Sequence, residues 1–249
     1  ARPKGFPGYW AGWSGAHYKH VVFRGVPTAS TTAQLVRDGQ ITWAEQMTPQ
    51  LWESLKSDPN ITTTTASSYQ NLFGMLNTSF GPLKNPKVRQ ALAYATNYKG
   101  LVAAMGAFTP SIGIIPNGLW GHNRNLPVYK TNMAKAKRLL QSAGYGPGGK
   151  SMTLNLTFTQ GDQYEQTAAS LLKSEYAPLN ITLNVSSLAW PTQWSKAKST
   201  TPASRQDILL FYWWPDYPDP YSWFINLFHS ANPPFFNLAY YDNSTVDKQ

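Results

Sequence analysis

An α/β fold is predicted by three features of the sequence. Leu154, Leu156 and Phe158 alternate with polar residues, a helical stretch runs from about Gln163 to Ala177, and Ile181, Leu183 and Val185 alternate again. Strand, helix, strand at these lengths implies a parallel pair joined by a right-handed crossover. The apolar run Ile208 to Phe211 adds a further buried strand within Asp207 to Trp213. Asn–Pro and Thr–Pro pairs open helices elsewhere, so strands and helices are interspersed rather than segregated.

Taken in order, a Gly/Trp-rich coil leads into a predicted strand at Val21–Val26. Ser30 is expected to cap a short helix through Val36, closed by Gly39. Ile41 to Ala44 reads as a brief strand, and Thr48-Pro49 opens a helix through Leu55. Thr62 to Thr65 is β-prone without a clear assignment, and Tyr69 to Asn77 reads as a strand. Asn85-Pro86 starts a helix in which Val88, Leu92 and Ala95 recur at helical spacing. Asn97 caps another helix, through Met105 and ended by Gly106. A Pro/Gly-rich coil spans Thr109 to Pro127. Asn132 then caps a helix that buries Met133, Ala136, Leu139, Leu140 and Ala143 and stops at Gly144. Beyond the strand–helix–strand unit, Trp190 to Lys198 and Ser222 to Phe228 read as helices.

At 249 residues the chain can bury a sizeable core in one large domain or two small ones. It has no cysteine, which excludes disulfides, thiolate metal sites and cysteine nucleophiles. No apolar run reaches membrane-spanning length, and Ala1-Arg2-Pro3-Lys4 does not begin a signal peptide. The start reads as the middle of a longer chain. Net charge is +9 and uneven: between Asp58 and Asp162 there is no acid, yet ten Lys or Arg occur there. Such a segment would be drawn to anionic lipid, cell-wall polymer or nucleic acid, unless its bases are simply a scattered solvated surface, the favoured reading.

The stretch Tyr212-Trp213-Trp214-Pro215-Asp216-Tyr217-Pro218-Asp219-Pro220 is the most informative. The chain leaves a buried strand and at once presents aromatic faces beside two carboxylates, while prolines 215, 218 and 220 exclude helix. Aromatic platforms next to a fixed negative charge suit a ligand with apolar groups and an ammonium. The same residues also fit a Pro-rich turn whose aromatics are core and whose acids cap the next helix.

Several segments together resemble one family, the extracellular solute-binding proteins of ABC importers, family 5, which includes peptide- and nickel-type binders. Asn85-Pro86-Lys87-Val88-Arg89-Gln90-Ala91-Leu92-Ala93-Tyr94-Ala95 is similar to the family's V-R-Q-A-L-A-Y-A-I-D signature, with Asn97 where its Asp stands. Tyr129 to Tyr145 resembles the Y-x-x-D-P-x-K-A-K-x-L-L-x-x-A-G-Y block, and Asp207 to Pro220 resembles D-x-x-x-x-x-W-x-x-D-Y-x-D-P. Tyr9-Trp10 and Val21-Val22-Phe23-Arg24 resemble the family's N-x-x-Y-W and its adjoining strand. The resemblance implies a type II periplasmic-binding-protein clamshell of two α/β lobes. This chain would be an internal fragment of it: residues 1–68 part of the first lobe, 69–249 the second, with a hinge strand near 69–77 and the C-terminal end of that lobe missing.

Carried over by position, Asp216 matches the Asp that holds a peptide's terminal ammonium, and Trp213 matches an aromatic lining the side-chain space. Leu210 stands where some peptide binders place a basic residue, so contacts to a peptide's far end are in doubt. Asn180 replaces the usual Gly before strand Ile181, and Asn tolerates the left-handed conformation. The ligand-binding set read from the sequence is Asp216, Trp213, Trp214, Tyr217 and Trp190, with Asp219 capping the helix near Ser222. Of the five tryptophans at 190, 194, 213, 214 and 223, two or three are expected to be core.

The implied role is a non-enzymatic binder that captures a peptide or small cationic solute and delivers it to a membrane permease. It would act as a monomer in the periplasm or at the outer face of the membrane, tethered there if lipid-anchored. No catalytic residue, cofactor or metal is expected. An oligosaccharide ligand on the same fold, a secreted glycoside hydrolase using Asp216 and Asp219, and a basic adhesin are the alternatives. His17 and His20 have the spacing of helical metal ligands but sit in coil, and no nucleic-acid module or phosphate loop is present. Six Asn-x-Ser/Thr sequons, at Asn60, Asn77, Asn155, Asn180, Asn184 and Asn243, read as coincidence in a Ser/Thr/Asn-rich bacterial-looking chain.

Overall fold

The computed structural model describes residues 8–231 and 233–248. The expectation over Ala1–Lys4 lies outside the described residues. The chain divides into two compact units, Ala1–Thr62 and Thr63–Gln249. The sequence reading drew that division after residue 68.

In the first unit, α1 (Ala29–Arg37) and α2 (Pro49–Lys56) pack through Ala33, Leu35 and Leu55, and the Arg37 guanidinium donates to Ser54 Oγ at 2.7 Å. Thr28, not Ser30, caps α1: its extended backbone ends the preceding coil and its hydroxyl accepts from the Thr31 N–H at 3.3 Å. Thr48 caps α2, with Pro49 in the first turn as expected. The expected strands at Val21–Val26 and Ile41–Ala44 do not form, and Phe23 is 71% exposed. β-branched residues favour an extended chain, but a strand exists only where a neighbour completes its ladder, and among the described residues none is laid along these segments.

The second unit is built on a four-stranded mixed sheet. In chain order its elements are β1 (Asn71–Leu76), α3 (Pro86–Ala95), α4 (Tyr98–Met105), α5 (Met133–Ser142), β2 (Met152–Thr159), α6 (Gln163–Tyr176), β3 (Ile181–Leu188), α7 (Trp190–Ala197), β4 (Ile208–Trp213) and α8 (Tyr221–Leu227). The sheet order is β1-β4-β2-β3. β2 and β3 are parallel from Met152↔Ile181 to Thr159↔Leu188, as the alternating pattern implies, and β4 joins β2 in parallel. β1 pairs antiparallel with β4 from Asn71↔Trp213 to Leu76↔Ile208.

Short polar side chains start the helices. Asn85, Asn97, Asn132 and Asp162 accept from the N–H groups of Lys87, Gly100, Lys135 and Glu165 at 2.8–3.0 Å. Such caps contribute about 1 kcal/mol each. Gly106 closes α4 at φ 70°, and Asn180 enters β3 in the left-handed region at φ 59°. Asn is one of the few residues that sits there cheaply.

Because side chains alternate along a strand, the sheet separates two cores. On one face, β2 supplies Leu154, Leu156 and Phe158, β4 supplies Ile208 and Leu210, and the small or aliphatic faces of α3, α5 and α6 close over them. Ala136 and Leu140 of α5 are fully buried there, while Met133, Leu139 and Ala143 are only partly so. On the other face, Met75, Leu209, Phe211 and Trp213 meet Trp223 and Leu227 of α8, Ala197 of α7, and Leu119 and Leu238 from loops.

Candidate functional site

β2, β3 and β4 run parallel, so their carboxyl ends share one edge of the sheet, where ligands bind in open α/β folds. Trp190 follows β3 and opens α7, while Trp214, Asp216 and Tyr217 follow Trp213, the last residue of β4. All five residues singled out from the sequence therefore stand at this edge.

They differ in burial. Trp214 is 59% exposed and Tyr217 50% exposed, and Asp216 is also at the surface. Trp190 is partly open, whereas Trp213 retains only 7% of its surface. Trp213 is thus mainly a core residue, edge-on to Phe236 at 4.9 Å, yet its indole N–H is buried without a protein acceptor. A buried donor left unpaired is costly, so this ring is held in place by its packing rather than by a hydrogen bond.

Trp190 and Trp213 are linked by an aromatic row. Trp190 lies 5.8 Å from Trp194, Trp194 lies 4.9 Å from Phe236, and Phe236 contacts Trp213. Phe235, itself exposed, packs edge-on to Phe236 at 4.6 Å. The Lys198 ammonium sits 5.1 Å over the Trp194 ring and donates to the carbonyls of Pro234 and Phe235, fixing the loop that carries both phenylalanines. Phe235 and Phe236 were not singled out from the sequence; the only local signal is their place after Pro233-Pro234. Of the five tryptophans considered, Trp213 and Trp223 are buried.

The edge is held rigid from behind. Gln193, fully buried, donates to the Leu210 carbonyl and Thr159 Oγ1, both at 3.3 Å, and so ties α7 to β4 and β2. Trp223 donates to Asn71 Oδ1 at 3.0 Å, joining α8 to the start of β1. Asp219 Oδ1 accepts from the Tyr221 N–H at 2.8 Å in an Asx turn leading into α8, whose N-cap position is Pro220 without a side-chain cap, so Asp219 stands one residue before the capping position expected from the sequence. One oxygen of its carboxylate is thereby engaged, while Asp216, exposed, makes no such bond among the described residues.

A polar cluster missed by the sequence reading lies beside these residues. The Tyr212 hydroxyl donates to Asp162 Oδ1 at 3.2 Å, and the Glu165 carboxylate, 1% exposed, accepts from the Thr159 N–H. Burial pushes the Glu165 carboxyl up to about 7, opposed by the Thr159 hydrogen bond and aided by the nearby Asp162 charge. Burial, then Asp162, also raises the Tyr212 phenol. The Asp162-x-x-Glu165 spacing is that of a capping box, which was the signal available. Among the described residues no group of three His, Asp or Glu side chains could hold a metal ion. No described helix is long and apolar enough to cross a membrane.

The chain is similar to known binding proteins. It is 27% identical over 196 residues to heme-binding protein A of Haemophilus influenzae, covering 78% of this chain and 35% of that one. It is 27% identical to probable di/tripeptide-binding protein 5 of Pseudomonas aeruginosa, over 92% of this chain and 43% of that protein. The periplasmic binding protein DppA from Helicobacter pylori, solved with the peptide STSA, superposes with a TM-score of 0.85 at 23% identity, over 96% of this chain and 46% of that one. The chain thus spans less than half the length of these relatives, and its architecture is that of part of a type II periplasmic binding protein. The sequence pattern of the bacterial extracellular solute-binding proteins, family 5, middle region, matches residues 3–235, and the chain belongs to that family.

Proposed function

We propose that this chain is part of the substrate-binding component of an ABC importer, which holds a peptide or similar small cationic solute and presents it to a membrane permease. The observation that carries the reading is the unpaired, exposed Asp216 beside the aromatic rings of Trp214 and Tyr217 at the carboxyl edge of the sheet. Asp216 holds the ammonium. Trp214, Tyr217 and Trp190 offer ring faces to apolar groups, while Trp213, buried beneath them, backs the aromatic surface from the core.

Residues 1 to about 68 contribute to a first lobe and residues 69–249 to a second. Ligand binding favours the closed arrangement of the two, which removes water and strengthens the ion pair. The protein binds without turnover, as a monomer outside the cytoplasmic membrane, in the periplasm or held by a lipid. Calorimetry on the complete protein tests the site. Asp216→Ala lowers peptide affinity about ten- to a hundredfold, the range for a lost charge-assisted hydrogen bond. Unchanged affinity removes the ammonium role.

A further inference from the structure

The positive charge of this chain is confined to one segment. Residues 59–161 hold ten Lys or Arg and no acid, whereas the rest of the chain holds eleven bases and twelve acids. The fold uses that segment for β1, α3, α4, α5, β2 and the coils between them. Val88, Ala91, Leu92 and Ala95 of α3, and Ala136 and Leu140 of α5, are turned toward the sheet. At 100° per residue, Arg138 lies opposite the buried stripe of α5, and Lys137 and Lys87 flank the buried stripes of their helices. All three are exposed, as are Lys84, Lys99 and Lys130.

These bases are not neutralised within the molecule: among the described residues none of the ten pairs with a carboxylate. The segment's pieces are also joined. Arg89 donates to the carbonyls of Leu83 and Lys84, the Asn132 N–H donates to the Tyr94 carbonyl, and Lys135 Nζ reaches the Tyr94 hydroxyl at 2.7 Å. Tyrosines are interleaved with the bases. Tyr129 is 45% exposed and meets Tyr94 edge-on at 4.9 Å, and Tyr98 opens α4 at 37% exposure. Amphipathic rings beside long cationic side chains match a headgroup layer, where ring bodies are half immersed and charged tips meet lipid phosphates. A linear sulfated polymer such as heparin would use the charge and leave the ring bodies in water.

We infer that the surface of α3, α4 and α5, which carry no acid although Glu175 of the neighbouring α6 accepts from the Asn97 N–H at 3.1 Å, docks on an anionic lipid surface, independently of the ligand site at the sheet edge. The attraction is worth roughly fivefold in partitioning for each Lys or Arg brought to such a surface, and it is screened by salt. The test is co-sedimentation of the chain with vesicles of phosphatidylcholine alone, or with about one third phosphatidylglycerol. Binding is expected only to the anionic vesicles, with release near 0.5 M salt, where the screening length is about 4 Å.

Lys87→Glu, Lys137→Glu and Arg138→Glu together should weaken binding at least tenfold. Lys19→Glu, Arg24→Glu and Lys248→Glu, the same change in net charge placed elsewhere, should cost less than threefold. Circular dichroism confirms that both variants are folded. Equal partitioning onto neutral vesicles, equal losses in the two triple variants, or binding to soluble heparin with no binding to anionic vesicles would each overturn the inference, the last in favour of a polymer partner.

Discussion

The two faces of the sheet are built from different chemistry. One core is mostly aliphatic, Leu, Ile, Val, Ala and Met, with two buried rings, Phe158 and Tyr176, the latter's hydroxyl meeting Thr96 at 3.1 Å. The other is aromatic: Phe211, Trp213 and Trp223 are buried, and the row continues outward through Phe236 and Trp194 to the partly open Trp190. The aliphatic face ends at its helices and meets solvent with charged residues. The aromatic face runs without interruption from core to surface at the carboxyl edge. On the proposed reading, packing and recognition use one continuous aromatic row on one side of the sheet and no shared side chains on the other.

The largest expected effect comes from Trp223→Ala, which empties the aromatic core and orphans Asn71 Oδ1. It should cost about 3–5 kcal/mol in urea unfolding, and Trp223→Phe clearly less. Leu154→Ala, at the centre of the aliphatic core, should cost about 2–5 kcal/mol while leaving the affinity of the folded protein unchanged. If Leu154→Ala weakened binding as much as an edge variant does, the division between the faces would be wrong.

Glu165 supplies the next test. Its carboxyl is raised by burial, so the folded state prefers the protonated form. The stability tied to that preference is complete below about 4.5, the unfolded value, and is lost as pH rises through about 7. Unfolding free energy should decline across that window by on the order of 1–3 kcal/mol. Glu165→Gln should flatten the decline, read from urea titrations at pH 5 and pH 8. The smallest effect on stability is that of Asp216→Ala, within about 0.5 kcal/mol, because the residue is exposed and makes no side-chain bond among the described residues.

Much of this fold was legible because local chemistry was unambiguous. Asn85-Pro86, Asn97 and Asn132 had to start helices, and the alternation in Leu154–Phe158 and Ile181–Val185 had to make half-buried strands. Val21–Val26 failed because strand formation depends on a neighbour that a sequence window does not contain. The site divides similarly. Prolines around Asp216 fixed its loop, and family spacing fixed its position. The burial of Trp213 against the exposure of Trp214 follows from side-chain alternation at the end of β4, since Leu209, Phe211 and Trp213 share one face. Phe236 and Gln193 escaped notice because their roles exist only in three dimensions: neither carries a charge, a turn signal or a spacing that marks it.

The central claim is that the exposed carboxylate of Asp216 holds a ligand's ammonium at the aromatic edge. A calorimetric cycle on the complete protein tests it, pairing wild type and Asp216→Asn with one peptide whose amino terminus is either free or acetylated. The account predicts that acetylation weakens binding to wild type at least tenfold and changes binding to Asp216→Asn by less than twofold. An acetylation penalty of equal size in both proteins would contradict it.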